Sequence, residues 1–383
     1  MHENMTAESL RGLIAEFAAM GIHRTGWPAD DRASAWIAAW LVSRGIPAAL
    51  LPFTFPKVEC HAAFVDVGDI RIAGTPLYDG GATGPAGITA PLTAGDAGGT
   101  GKLVLLDQEA ISDLHAEPAL AAGGAQAMGA IAISGDPEGF VVLRNAERMA
   151  APLAWPVLQV AARDAGPLRA AAAAGRAVTL VIDRSVVEPT ASNVAADIVT
   201  PGADGLVVLM TPKSGWFTCA AERGGGVAIT MALATAIAAM PGRRRNLRVL
   251  FSSGHELGHW GLMRYLEQQP QLRGQACLWV HLGASIGAAQ CDATRLFSRE
   301  SAWRDWFMPV LARHGAAPVT LMDAERRPGG ESREIFERPF VSMAGHHRYF
   351  HSPQDLPEVA VDAARVARFG SAFHELLQKA LRA

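Results

Sequence analysis

The stretch NLRVLFSSGHELGHWGLMRYLEQQP, residues 246–270, decides the fold. Leu247, Val249, Leu250 and Phe251 make a short apolar run of strand length, and Ser252, Ser253 and Gly254 end it. Beyond His255 the pattern turns helical and stops at Pro270. The reading is a buried strand, a tight turn and a helix. Residues 255–259, HELGH, also spell the HExxH zinc motif. That motif needs both histidines on one face of a helix, the Glu between them as base, and a third ligand further on. Here the strand runs straight into Gly254, and Gly258 disfavours a helix by about 1 kcal/mol relative to Ala. Glu267 is the sole nearby third candidate. His255 and Glu256 are therefore read as turn residues, and His259 as a packing or helix-surface histidine.

The segments on either side repeat the pattern. DGLVVLMT (204–211) is a buried strand, GGGVAITMALATAIAAMPG (224–242) a helix, and QACLWVHLG (275–283) a third strand. Continuous apolar strands alternating with helices indicate a mostly parallel sheet covered on both faces. Ligands of such sheets bind beyond the carboxyl ends of the strands. Lys213 and Ser214, His255 and Glu256, and His281 all fall there.

Residues 7–22 and 30–45 read as amphipathic helices, the second capped by Asp30 and stopped by Gly45, and AALLPFTF (48–55) as a strand. Between 61 and 187 the texture changes. Gly-rich turns such as YDGGATGPAG separate the strands GKLVLLD, MGAIAIS, WPVLQVA and AVTLVID. This is a smaller α/β module with its own core, and no catalysis is read in it. The main α/β domain is expected to be 1–60 with 188–383.

Composition narrows the function classes. Half of the 383 residues are apolar and the net charge is −3, so no basic field marks a nucleic-acid partner. Arg243–Arg245 reads as a solvated loop. Cys60, Cys219, Cys277 and Cys291 are widely spaced without CxxC, which suits reduced thiols and a cytoplasmic location. MHENMTAESLRG lacks a basic region followed by an apolar run, so no secretory signal is expected. Apolar runs break before about 18 residues, so no membrane partner is expected.

At these residues the chain resembles the clan MH metallopeptidases, the co-catalytic di-zinc aminopeptidases and carboxypeptidases. GIHRTGWPADDRASAWIAAWLVSRGI is similar to their N-terminal helix pair, the 61–187 module to the protease-associated domain that some members insert, RVLFSSGHELGHWGL to their Glu-Glu turn, and RYFHSPQD to the segment of their last metal-binding His. The resemblance implies a mostly parallel mixed sheet sandwiched by helices. It also exposes departures. Pro212 stands at the first metal His, Ser214 at the Asp that orients it, Glu222 at the bridging Asp, His255 at the catalytic base and His281 at a further metal Asp. Glu256 and His351 keep the family's ligand chemistry.

The resemblance thus implies an amide- or peptide-bond hydrolase for a small or peptide-like substrate. One zinc would be held by Glu222, Glu256 and His351, with His281 as fourth ligand or substrate contact. His255 would move the proton, being able to accept one near neutrality. Ser214, Ser332 and Arg333 would contact substrate, Arg333 as a carboxylate clamp or in an internal ion pair. Two rivals stand beside it: a binding protein on the peptidase fold without metal, and a metal-free enzyme using His255 and His281 as acid and base. A homo-oligomer is left open.

Overall fold

The computed structural model describes residues 5–95, 100–116, 127–136 and 138–383. The chain divides into two compact units. One comprises Met1–Thr54, Thr190–His255 and His259–Ala383, the other Phe55–Pro189 with Glu256–Gly258.

The first unit is built on eight strands, in spatial order Ala48–Thr54, Thr190–Ile198, Asn246–Ser252, Leu206–Pro212, Ala276–Leu282, Phe340–His347, Cys291–Phe297 and Thr320–Leu321. The four strands from Asn246–Ser252 to Phe340–His347 pair in parallel, and antiparallel strands flank them. Successive side chains on a strand face opposite ways. Val207 and Leu209 accordingly join one core, and Val208 and Met210 the other. Val249 and Phe251 divide from Leu250 in the same way, and Leu278 and Val280 from Trp279. Helices Ala7–Ala19, Pro28–Val42, Gly225–Ala238, Ser301–Arg313 and Ala363–Arg382 supply the first core, and Trp260–Gln268 the second. This is the expected α/β class, a mixed and mostly parallel sheet sandwiched by helices.

The second unit holds its own eight-stranded sheet, in which Gly84–Ala94, Leu103–Asp107, Gly129–Ile133 and Val157–Val160 pair in parallel. Leu103, Ile131, Leu158 and Leu180 pack in one of its cores, and Val104, Ala130 and Val157 in another. Among the described residues no helix is long and apolar enough to cross a membrane.

Two local expectations change. Asp30 does not cap its helix, which starts at Pro28 after Trp27. Its carboxylate instead accepts hydrogen bonds from Lys213, Ser253 and the Gly26 N–H. The helix expected to begin near His255 begins only at Trp260.

Candidate functional site

The delay of that helix is caused by backbone conformation. Gly254 and Gly258 have φ of +79° and +63°, and His259 itself has φ +61°. A β-carbon on Gly254 would stand 2.7 Å from Gly261 N, so the turn tolerates only glycine there. The HELGH residues therefore form a turn, and their histidines do not share a helical face. His259 is buried at the helix start, with Nδ1 2.9 Å from Glu334 Oε1. Glu256 is fully buried, and its carbonyl accepts from Ala146 N–H within the second unit.

His255 is buried, and its Nδ1 has no hydrogen-bond partner among the described residues. The carboxylate of Glu331 lies 3.8 Å away, too far for a hydrogen bond. Glu331 itself accepts from Ser252 Oγ at 2.6 and 2.7 Å. Burial pushes the Glu331 carboxyl upward and outweighs His259, the Ser252 hydroxyl and Arg223. Burial, followed by Arg223 and the neighbouring His259, His351 and His281, pushes His255 well below the usual imidazole range.

His281 ends its strand fully buried, and a chain of hydroxyls fixes its tautomer. Ser332 Oγ donates to Gly329 O at 3.1 Å, and Ser342 Oγ donates to Ser332 Oγ at 2.9 Å. With its one proton spent, Ser342 Oγ accepts from His281 Nδ1, 2.9 Å away. His281 Nε2 is then a bare lone pair, and it has no partner among the described residues. Burial, helped by His259 and Arg223, lowers His281 to about 3. Both imidazoles lie against Gly330. A β-carbon there would stand 3.4 Å from His255 Cε1 and 4.0 Å from His281 Cε1.

The other corner is charged. Residues Ala220–Gly224 form a π-helical turn ahead of the long apolar helix, entered through Cys219 at φ +55°. Such widened turns recur at functional sites. The glycines behind it let the helix approach closely: a β-carbon on Gly225 would stand 2.1 Å from Ile286 O. Asp355 accepts from the Ala221 and Glu222 N–H groups at 2.7 and 2.9 Å, and Ser285 N–H donates to Glu222 O. Ser285 Oγ meets His347 Nδ1 at 2.8 Å, and His347 Nε2 lies 3.5 Å from Asp355. Gly283–Gly287 spells GASIG, the nucleophile-elbow pattern G-x-S-x-G. Ser285 is fully buried, however, and acts as a clamp on the Glu222 turn.

Within that clamp, Glu222 Oε1 lies 2.7 Å from Arg223 Nη2 and 3.3 Å from His351 Nε2. Arg223 Nε donates to Ser214 O at 2.8 Å. Burial pushes the Glu222 carboxyl up, but Arg223, His351 and His347 outweigh it and hold it at about 2. Arg223 escaped the sequence reading. The signal was a cation at the start of a helix, where the dipole disfavours positive charge. At the neighbouring strand end Lys213 and Asp30 make a second pair without solvent exposure.

Of the expected ligand set, Glu222 and His351 come together. Two ligands of one tetrahedral zinc stand about 3.3 Å apart when each bond is about 2.0–2.1 Å, and Glu222 and His351 match that separation. Arg223 Nη2 lies 2.7 Å from the same oxygen, though, and an ion there would lie within about 5 Å of Nη2. A dication and a guanidinium at that range repel by about 6–7 kcal/mol at an effective dielectric of 20. A full structural zinc site gains about 10–16 kcal/mol from four ligands, of which a pair supplies only part. Among the described residues no three His, Cys, Asp or Glu are grouped to hold a metal. Of the expected substrate contacts, Ser214 and Ser332 are fully buried, and Arg333 pairs internally with Glu334 at 3.2 Å.

No family model matches the sequence, and no curated protein matches it. Solved structures do. A zinc aminopeptidase from Bacillus subtilis aligns with TM-score 0.81 and 15% identity, over 99% of this chain and 96% of its own. An aminopeptidase from Aneurinibacillus sp. strain AM-1 aligns at 0.75 and 16%, over 99% and 95%. A peptidase M28 precursor from Shewanella amazonensis aligns at 0.73 and 19%, over 97% and 94%. At these identities the likeness concerns the fold: the chain has a zinc-aminopeptidase-like α/β fold.

Proposed function

We propose that the chain is a hydrolase of amide or peptide-like bonds in small substrates, working from a histidine centre without zinc. The observation that carries this reading is the bare His281 Nε2, pinned by Ser342 and Ser332 and facing Gly330 beside His255. The likeness in fold to aminopeptidases supports the substrate class. In this reading His281 Nε2 takes a proton from the water that attacks the amide carbonyl carbon. The imidazolium so formed returns that proton to the leaving nitrogen as the C–N bond breaks. His255 donates a hydrogen bond to the carbonyl oxygen, where negative charge develops. Proton transfer, which the sequence assigns to His255, thus passes to His281. The 61–187 module is read as protease-associated-like, and the location as cytoplasmic.

A single zinc at Glu222, Glu256 and His351 is the rival that Arg223 opposes. A binding protein without turnover is the other, favoured by the spent charge of the Glu222–Arg223 pair. A panel of aminoacyl and N-acyl amides tests the proposal on the full chain. Wild type is expected to turn over at least one class, and His281→Gln and His255→Gln to lose about 10²–10⁴-fold in kcat with circular dichroism unchanged. No turnover by wild type across the panel would leave the binding protein.

A further inference from the structure

We propose that Arg223 is a built-in cation standing in the place of zinc in this fold, closing Glu222 and His351 to divalent metal. Its guanidinium is fully buried and fixed at both ends, by Ser214 O at 2.8 Å and Glu222 Oε1 at 2.7 Å. The first contact ties it to the strand end where the family resemblance expects a metal ligand and where Pro212 and Ser214 stand instead. The second puts the guanidinium charge 2.7 Å from the oxygen nearest to His351 Nε2, as an ion pair without a hydrogen bond among the described residues. Asp355 and Ser285 hold the backbone from which Glu222 projects. Arginine does not release its proton in proteins, so a metal cannot enter by deprotonating it, as it can at cysteine or histidine. Neither Nη1 nor Nη2 has a hydrogen-bond partner among the described residues. Lys213, the neighbouring buried cation, is turned to Asp30 and Ser253 and does not touch Glu222 among the contacts described. It serves as the control.

The test measures zinc on the full chain by calorimetry, by elemental analysis after dialysis, and by anomalous diffraction from soaked crystals. Wild type and Lys213→Met are expected to hold no stoichiometric zinc between Glu222 and His351. Arg223→Met frees two ligands already at a zinc-like separation. It is expected to bind zinc there more tightly than wild type by about tenfold or more. Zinc located at Glu222 in wild type overturns the proposal, and so does an Arg223→Met affinity no higher than that of wild type. Arg223→Gln, which keeps a polar group, is the second variant should Arg223→Met fail to fold, and the wild-type measurement stands without either. Zinc uptake is read without turnover, so the hydrolase reading can fail while this inference holds; an Arg223→Met affinity no higher than that of wild type overturns this inference alone, whereas zinc at Glu222 in wild type overturns both.

Discussion

The two corners of the site handle burial in opposite ways. At Glu222, Arg223 and His351, charge is kept and paired inside the protein. At His255, His281 and Glu331, charge is suppressed: burial lowers both imidazoles and raises the carboxyl. Both answers meet the cost of taking a charge out of water, one by a partner and one by changing protonation state. The difference teaches where a ligand can act. The paired corner balances its charges but leaves Glu222 Oε1 and both Arg223 Nη atoms without hydrogen-bond partners among the described residues. The neutral corner leaves His255 Nδ1 and His281 Nε2 without partners among the described residues.

Acid should separate the corners most strongly. His281 has a folded value of about 3 against an unfolded value of 6.5. A lowered folded value means that stability is fully present above 6.5 and is lost as pH falls toward 3. The full loss for His281 is about 5 kcal/mol. His255 adds in the same direction. Glu222, held at about 2, stays ionised through this window and contributes little slope until lower pH. Urea midpoints measured from pH 7 to 4 should fall steeply in wild type and less in His281→Gln. A flat wild-type profile would mean that the imidazoles are not held neutral.

Removing the cations breaks the charged corner instead. Arg223→Met leaves a buried carboxylate without its main partner, and Lys213→Met does the same to Asp30. Each is expected to cost about 3–5 kcal/mol in urea denaturation. The two should differ on acidification. Without Arg223 the Glu222 carboxyl loses the largest of the influences holding it down, so the acid limb of that variant begins at higher pH. In Lys213→Met the Glu222 limb stays where it is in wild type. Identical acid limbs in the two variants would mean that Arg223 does not set the state of Glu222.

How far this was legible in the sequence depends on the range of the contacts. Strand alternation is local, so the division of Val207 and Leu209 from Val208 and Met210 could be read directly. Gly254 and Gly258 announced a turn, and the structure places Trp260, not His255, at the helix start. The Glu222–Arg223 pair was not legible, because adjacent residues on a regular helix do not face each other, whereas these two meet in a widened turn. Asp30 looked like a helix cap because its true partner, Lys213, is 183 residues away. The hydroxyl chain behind His281 likewise joins residues from separate strands and a 3₁₀ turn, for which no spacing rule exists.

That chain offers the smallest and most specific prediction. Ser342→Ala removes two hydrogen bonds in a buried site, those to His281 and Ser332, and should cost about 2 kcal/mol, within reach of urea denaturation. Its chemical effect is larger than its energetic one. In wild type the order of donation, from Ser332 to Gly329 and from Ser342 to Ser332, forces the His281 proton onto Nδ1. Without Ser342 Oγ the proton is free to move to Nε2, where it would block the lone pair. Nitrogen chemical shifts of the His281 ring should report a single Nδ1–H tautomer in wild type and a mixture in Ser342→Ala. Ser342→Thr keeps the hydroxyl and should restore the single tautomer. A mixture already present in wild type would mean that the hydroxyl chain does not set the proton, and that His281 is not the pinned base that separates the neutral corner from the charged one.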